Sequence, residues 1–152
     1  RKNADVPIYV HGETKTSRHM PKDVLRELHG FIHMFEDTPE FVARHGAPDV
    51  VVVDPPAFIK RRKDIPQGEA AYRKLNQLAL RVLSDEGLLI SCSCSYHLAI
   101  DSLQTAIQAA ARHVDRSVQI IYQGMQSPDH PVHPAIPETR YLKAFFCRVT
   151  RG

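Results

Sequence analysis

Glycine is scarce in this chain and poorly placed for one common task. The seven glycines stand at 12, 30, 46, 68, 87, 124 and 152 of 152 residues, and no two are spaced as Gly-x-Gly. The glycine-rich turn that lets a backbone close on a nucleotide is therefore missing. Cysteine is sparse too: there are three, with Cys92 and Cys94 only two positions apart. An odd, uneven set argues against a disulfide framework and for a reducing, cytoplasmic compartment. Cys92, Cys94 and His97 lack a second Cys or His pair at ligand spacing, so no metal site is expected. No apolar run approaches the roughly 20 residues that span a bilayer. Arg1 to Asp5 lacks the apolar core of a signal peptide. Net charge is only +3, too mild to demand a nucleic-acid partner. Internal repeats and low-complexity segments are absent. Hydrophobic content of 43% with 24% charged residues fits one soluble globular domain with a real core.

What is present is organised around Asp49-Val50-Val51-Val52-Val53-Asp54-Pro55-Pro56-Ala57-Phe58. Four β-branched valines suit a buried strand. Pro56 stops it, because proline has no N–H and pushes the preceding residue out of the helical region. Asp54 is left at the carboxyl end of the strand, the edge at which open α/β sheets bind ligands. Lys60, Arg61, Arg62 and Lys63 follow directly and could meet phosphates or simply face solvent.

Periodicity supplies the other elements. Ile8 to Val10 is a short strand candidate, Pro21 to Leu28 a helix, Phe31 to Phe35 a strand, and Thr38 to Gly46 a helix with Thr38 as N-cap. Ile65 to Gly68 is expected to be a turn and Glu69 to Leu83 a helix, with Tyr72, Leu75, Leu78 and Val82 on its apolar face. A strand is expected over Leu88 to Ser95, a helix over Ala99 to Val114 and a strand over Val118 to Tyr122. Residues 127–139 hold four of the eleven prolines and form a loop before a last strand, Tyr141 to Val149. Alternation of this kind predicts a mostly parallel sheet with helices on both faces. The last strand, lacking a helix before it, is expected antiparallel at or near the sheet edge.

Asp54 and Cys94 both end strands that one helical crossover joins, so a carboxyl group and a thiol should share a cleft. A thiolate is a soft nucleophile. The same residues also admit plainer roles: a strand-end cysteine can be a small buried hydrophobe, and an aspartate before proline can cap a turn.

Six pieces occur in order: Asp54-Pro55-Pro56-Ala57-Phe58; the loop from Ile59 to Lys63; Tyr72-Arg73-Lys74-Leu75-Asn76; Ser91-Cys92-Ser93-Cys94-Ser95; Asp129-His130-Pro131-Val132; and Pro137-Glu138-Thr139-Arg140-Tyr141-Leu142-Lys143. Together they resemble the C-terminal catalytic half of the RlmI-type class I S-adenosylmethionine-dependent methyltransferases, which act on carbon 5 of cytosine in 23S ribosomal RNA. The similarity spans about residues 31–150.

The resemblance implies an α/β, Rossmann-like class I methyltransferase fold, incomplete in its N-terminal half. Residues 31–152 would be the C-terminal part of that domain and residues 1–30 a poorly matched segment. Cys94 would be the nucleophile, and Asp54 would hydrogen-bond the N3/N4 edge of the base. S-adenosylmethionine would be the cofactor, bordered by Asp37, Asp54, Pro55 and Pro56, with its cradle incomplete. Phe58, Lys60, Arg61, Arg62 and Lys63 would meet ribosomal RNA, and a homodimer is allowed. Two other readings stay open: a methyltransferase acting on a guanine or adenine nitrogen, which needs no thiol, and an inactive remnant that binds RNA or a partner chain.

Overall fold

The computed structural model describes residues 8–11, 42–43 and 46–152. The elements expected at 21–28 and 31–35 lie outside the described residues, as does most of the helix expected over 38–46. Val42 and Ala43 are helical. Gly46 donates its N–H to the Val42 carbonyl at 2.8 Å and adopts φ +83°. That is the left-handed conformation in which a glycine closes a helix.

Among the described residues, five strands form one sheet in the order β1-β2-β3-β5-β4: β1 (Ile8–His11), β2 (Val50–Asp54), β3 (Gly87–Ser93), β4 (Arg116–Gly124) and β5 (Lys143–Arg151). The pairs β1–β2 and β2–β3 are parallel, while β5 runs antiparallel between β3 and β4. The last strand is thus antiparallel as expected and lies one strand in, with β4 taking the edge. The chain reaches β5 through the proline-rich loop, which includes a short 3-10 turn at Pro137–Thr139. Such a loop can return a strand beside β3 without the crossover that a parallel neighbour requires.

Two helices cover one face: α1 (Ile65–Val82) and α2 (Ile100–His113). They pack on each other, α1 against β2 and β3, and α2 against β4. Strand register explains which residues they bury. Val51, Leu89 and Cys147 stand in one row across β2, β3 and β5, and Val53, Ser91 and Phe145 in the next. All six are buried, because alternate residues of a strand face the same side. The intervening Val50, Val52, Leu88 and Ile90 are half-buried. The helices expected at 21–28 and 38–46 lie wholly or mostly outside the described residues; among the described residues, helices cover one face.

The start of α1 departs from expectation. Ile65 to Gly68 is not a turn but the first turn of the helix, preceded by a 3-10 turn at Arg62–Asp64. Pro66 sits where the first helical N–H groups have no partner, so it costs no hydrogen bond. Gly68 is buried against Ile59: a Cβ there would stand 2.1 Å from Ile59 Cγ1. The glycine that suggested a break instead lets α1 close onto the segment after Asp54.

Candidate active site

The parallel pairing of β2 with β3 brings their carboxyl ends side by side. Asp54 ends β2 and is exposed, while Cys94 lies one residue beyond β3 and is half-buried. Cys92, two residues earlier, is also half-buried and on the same side of the strand. Burial, and then the Asp54 carboxylate, pushes both thiols above their ordinary range, Cys92 to about 11. The two thiols and the carboxylate therefore share one local field. For Cys94 a backbone hydrogen bond and the Lys143 ammonium pull the other way.

A buried polar network fixes the strand end that carries Cys94. The Ser93 hydroxyl donates to the Tyr72 hydroxyl at 2.8 Å, and Tyr72 and Ser95 hydroxyls lie 3.0 Å apart. The Ser95 N–H donates to Ser93 Oγ at 3.1 Å, and the Ile59 N–H donates to Ser95 Oγ at 3.2 Å. Asn76 Nδ2 donates to the Tyr72 carbonyl at 2.8 Å. From β5, Lys143 Nζ donates to the Ser95 carbonyl at 2.6 Å and to the Tyr141 carbonyl at 2.9 Å. Burial raises the Tyr72 hydroxyl above its usual range, so it stays protonated. The chain on either side of Cys94 is thus tied to α1, to the segment after Asp54 and to β5.

Other expected site residues distribute unevenly. Pro55 is buried and Pro56 half-buried beside Asp54. Phe58 is 8% exposed and packs its ring on Tyr72, with centroids 4.9 Å apart, so in this conformation the ring belongs to the core. Lys60, Arg61, Arg62 and Lys63 are all exposed, and Arg61 Nε pairs with Asp64 at 3.1 Å. Asp37 lies outside the described residues. A groove of about 570 Å³ between α1 and α2, lined by Pro66, Arg73, Asp101 and Thr105 among others, includes neither Asp54 nor Cys94.

Tyr72, Ser93, Ser95 and Lys143 lie within the quoted pieces, but no site role is assigned to them there. A signal for the serines exists. Period-two alternation that points Cys92 and Cys94 one way points Ser91, Ser93 and Ser95 into the core, where hydroxyls require partners. No group of three or more metal-ligating side chains occurs among the described residues. No described helix is long and apolar enough to cross a membrane.

The cofactor site is only bordered. The Asp54-Pro55-Pro56 turn stands at the binding edge. Of the described glycines, Gly68 lies near it and packs against Ile59, leaving no cradle for a cofactor backbone there, while Gly87 opens β3 at the other end, against Leu83 and the Asp49 carbonyl.

Residues 1–46 match the family model described as Orn/Lys/Arg decarboxylase, N-terminal domain, a stretch that includes Asp37. Ribosomal RNA large subunit methyltransferase I of Escherichia coli O1:K1 is 41% identical over 101 residues, covering 66% of this chain and 26% of the relative. The protein of that name from Shigella boydii serotype 18 matches with the same figures. The chain therefore spans about a quarter of these relatives' length. Among solved structures, a protein described as a methyltransferase, in complex with SAH, superposes with TM-score 0.59 at 20% identity, covering 77% of this chain and 29% of that one. A SAM-dependent methyltransferase from Streptococcus mutans gives TM-score 0.58 at 21% identity, covering 78% and 29%. Over about two thirds of its length the chain is thus similar to the ribosomal RNA large subunit methyltransferase I proteins, and the superposed part carries part of the class I methyltransferase fold.

Proposed function

We propose that this chain carries the substrate half of an S-adenosylmethionine-dependent methyltransferase that modifies carbon 5 of cytosine in ribosomal RNA, working in the cytoplasm. The observation that supports this reading is the juxtaposition of Asp54 with the Cys94 thiol at neighbouring strand ends. Carbon 5 of cytosine is a weak nucleophile. Attack of the Cys94 thiolate on carbon 6 forms an S–C bond and moves the ring electrons onto carbon 5. Asp54 holds the N3/N4 edge, which orients the ring and stabilises the adduct. After carbon 5 has gained its methyl group, a base removes its proton, the S–C bond breaks and the thiolate is regenerated. S-adenosylmethionine supplies an electrophilic methyl group when bound. The described residues border its site at Pro55 and Pro56 without enclosing it.

The base must leave any stack to reach the strand ends. Lys60, Arg61, Arg62 and Lys63 lie on the chain directly after Asp54-Pro55-Pro56 and would take RNA phosphates there.

The test is Cys94→Ala in a chain completed with the first half of a curated relative. Loss of methyl transfer with cofactor affinity retained is the expected result. Unchanged turnover would favour transfer to a ring or exocyclic nitrogen, for which Asp54 alone suffices. The same assay on Asp54→Asn should lose at least about a hundredfold, the scale of a lost positioned polar group.

A further inference from the structure

We infer that Lys143 is a positioning residue for the Cys94 thiol: its ammonium fixes the peptide beyond Cys94 and biases that thiol toward the thiolate. The inference rests on the reading of Cys94 as the nucleophile and names the group that activates it. Lys143 opens β5 opposite Ser93 and is 8% exposed. A buried lysine is costly unless its donors are met. Two of its three N–H donors go to the carbonyls of Ser95 and Tyr141, at 2.6 and 2.9 Å. One donor remains, on an ammonium held one residue from the thiol.

Among the described residues, the charged and titratable groups near Cys94 are Asp54 of β2, Cys92 of β3, Tyr72 of α1 and Lys143 of β5, and Lys143 is the cation of that set. The field felt by Lys143 is reciprocal, since Cys94 supports its charged form against burial. Burial and Asp54 disfavour the thiolate. Lys143 is the side chain that opposes them, and a β5 lysine aimed inward has no apolar role to fill.

The test follows thiol chemistry and needs neither cofactor nor RNA. With Cys92 replaced by Ala, Cys94 and the buried Cys147 are the remaining thiols. The iodoacetamide rate of Cys94 is measured from pH 6.5 to 10, by mass spectrometry. Lys143→Met should slow alkylation at pH 7.5 by about tenfold and move the profile up by about one pH unit, because only the thiolate reacts. Lys143→Arg, which keeps the charge, should remain within about threefold of the parent. An unmoved profile in Lys143→Met overturns the inference. Cys147 reports whether the core has opened. If Lys143→Met exposes it, Lys143→Arg decides: a retained profile supports the charge, and a profile displaced upward with Cys147 still protected contradicts it. Failure here would leave the carbon-5 reading standing. That reading falls separately, if Cys94→Ala leaves methyl transfer unchanged.

Discussion

Tyr72 ties the site together at the scale of single residues. Its ring packs on Phe58, while its hydroxyl joins Ser93 to Ser95 on either side of Cys94. Tyr72→Phe keeps the ring contact and leaves buried hydroxyls short of a partner. The expected loss is about 1–3 kcal/mol, read as a lower urea midpoint with an unchanged slope. The thiols add a pH dependence. Burial raises Cys92 and Cys147 from an ordinary value of 9.0 to about 11. A folded value above the unfolded one means that the neutral thiols' contribution is complete below pH 9 and is lost as pH rises toward 11. Melting temperature should therefore fall across that window, and less steeply in Cys147→Ala measured against its own value at pH 8. Asp54 and Cys94 were legible because each ends a strand at a recognisable stop. Tyr72 was not, because a buried hydroxyl on a helix looks in sequence like any aromatic on an apolar face. Phe58 was expected to meet RNA only through the family resemblance, which carries no signal for how deeply its ring is buried against Tyr72.

The close seat of α1 on the segment after Asp54 is a property of elements. α1 begins four residues before the position its apolar periodicity suggested, since Gly68 reads as a break when it is in fact a contact. Ile59 fills the space where a side chain would stand. Gly68→Ala must displace a residue that is 2% exposed, which costs on the order of 1–3 kcal/mol, the usual range for overpacking. Ile59→Val should recover part of that loss, and a double-mutant cycle between the two would show coupling above about 0.5 kcal/mol. The far end of α1 holds another contact that periodicity does not reveal. Arg116 of β4 donates to the carbonyls of Leu83 and Ser84, at 3.0 and 3.2 Å, and pairs with Asp85. A cation there meets the negative end of the helix dipole. The alternation of strands and helices from Val50 onward was legible, because each strand and helix keeps its own apolar period. The placement of β5 between β3 and β4 was not, because antiparallel insertion leaves no mark in the hydrophobic pattern of the strand itself.

On the scale of the whole chain, the proposed function makes the described residues one half of a reaction. The strand ends of β2 and β3 present a carboxylate and a thiol, a lysine from β5 holds the carbonyl one residue after that thiol, and basic side chains follow the turn. Residues 1–46 match a decarboxylase domain model. On the proposed reading, such a half can by itself add the Cys94 thiolate to carbon 6. Once that bond forms, carbon 5 bears the ring's electron density and can take a proton from water. Loss of the original hydrogen and departure of the thiolate then return cytosine with its carbon-5 hydrogen exchanged, and no methyl donor is consumed. The most direct measurement is release of tritium from ribosomal RNA labelled at carbon 5 of cytosine, incubated with the chain in the absence of cofactor. Tritium release by the parent chain and by Cys92→Ala, abolished in Cys94→Ala, is the predicted result. Equal release by Cys94→Ala, or none from the parent while it holds the RNA, would contradict the account.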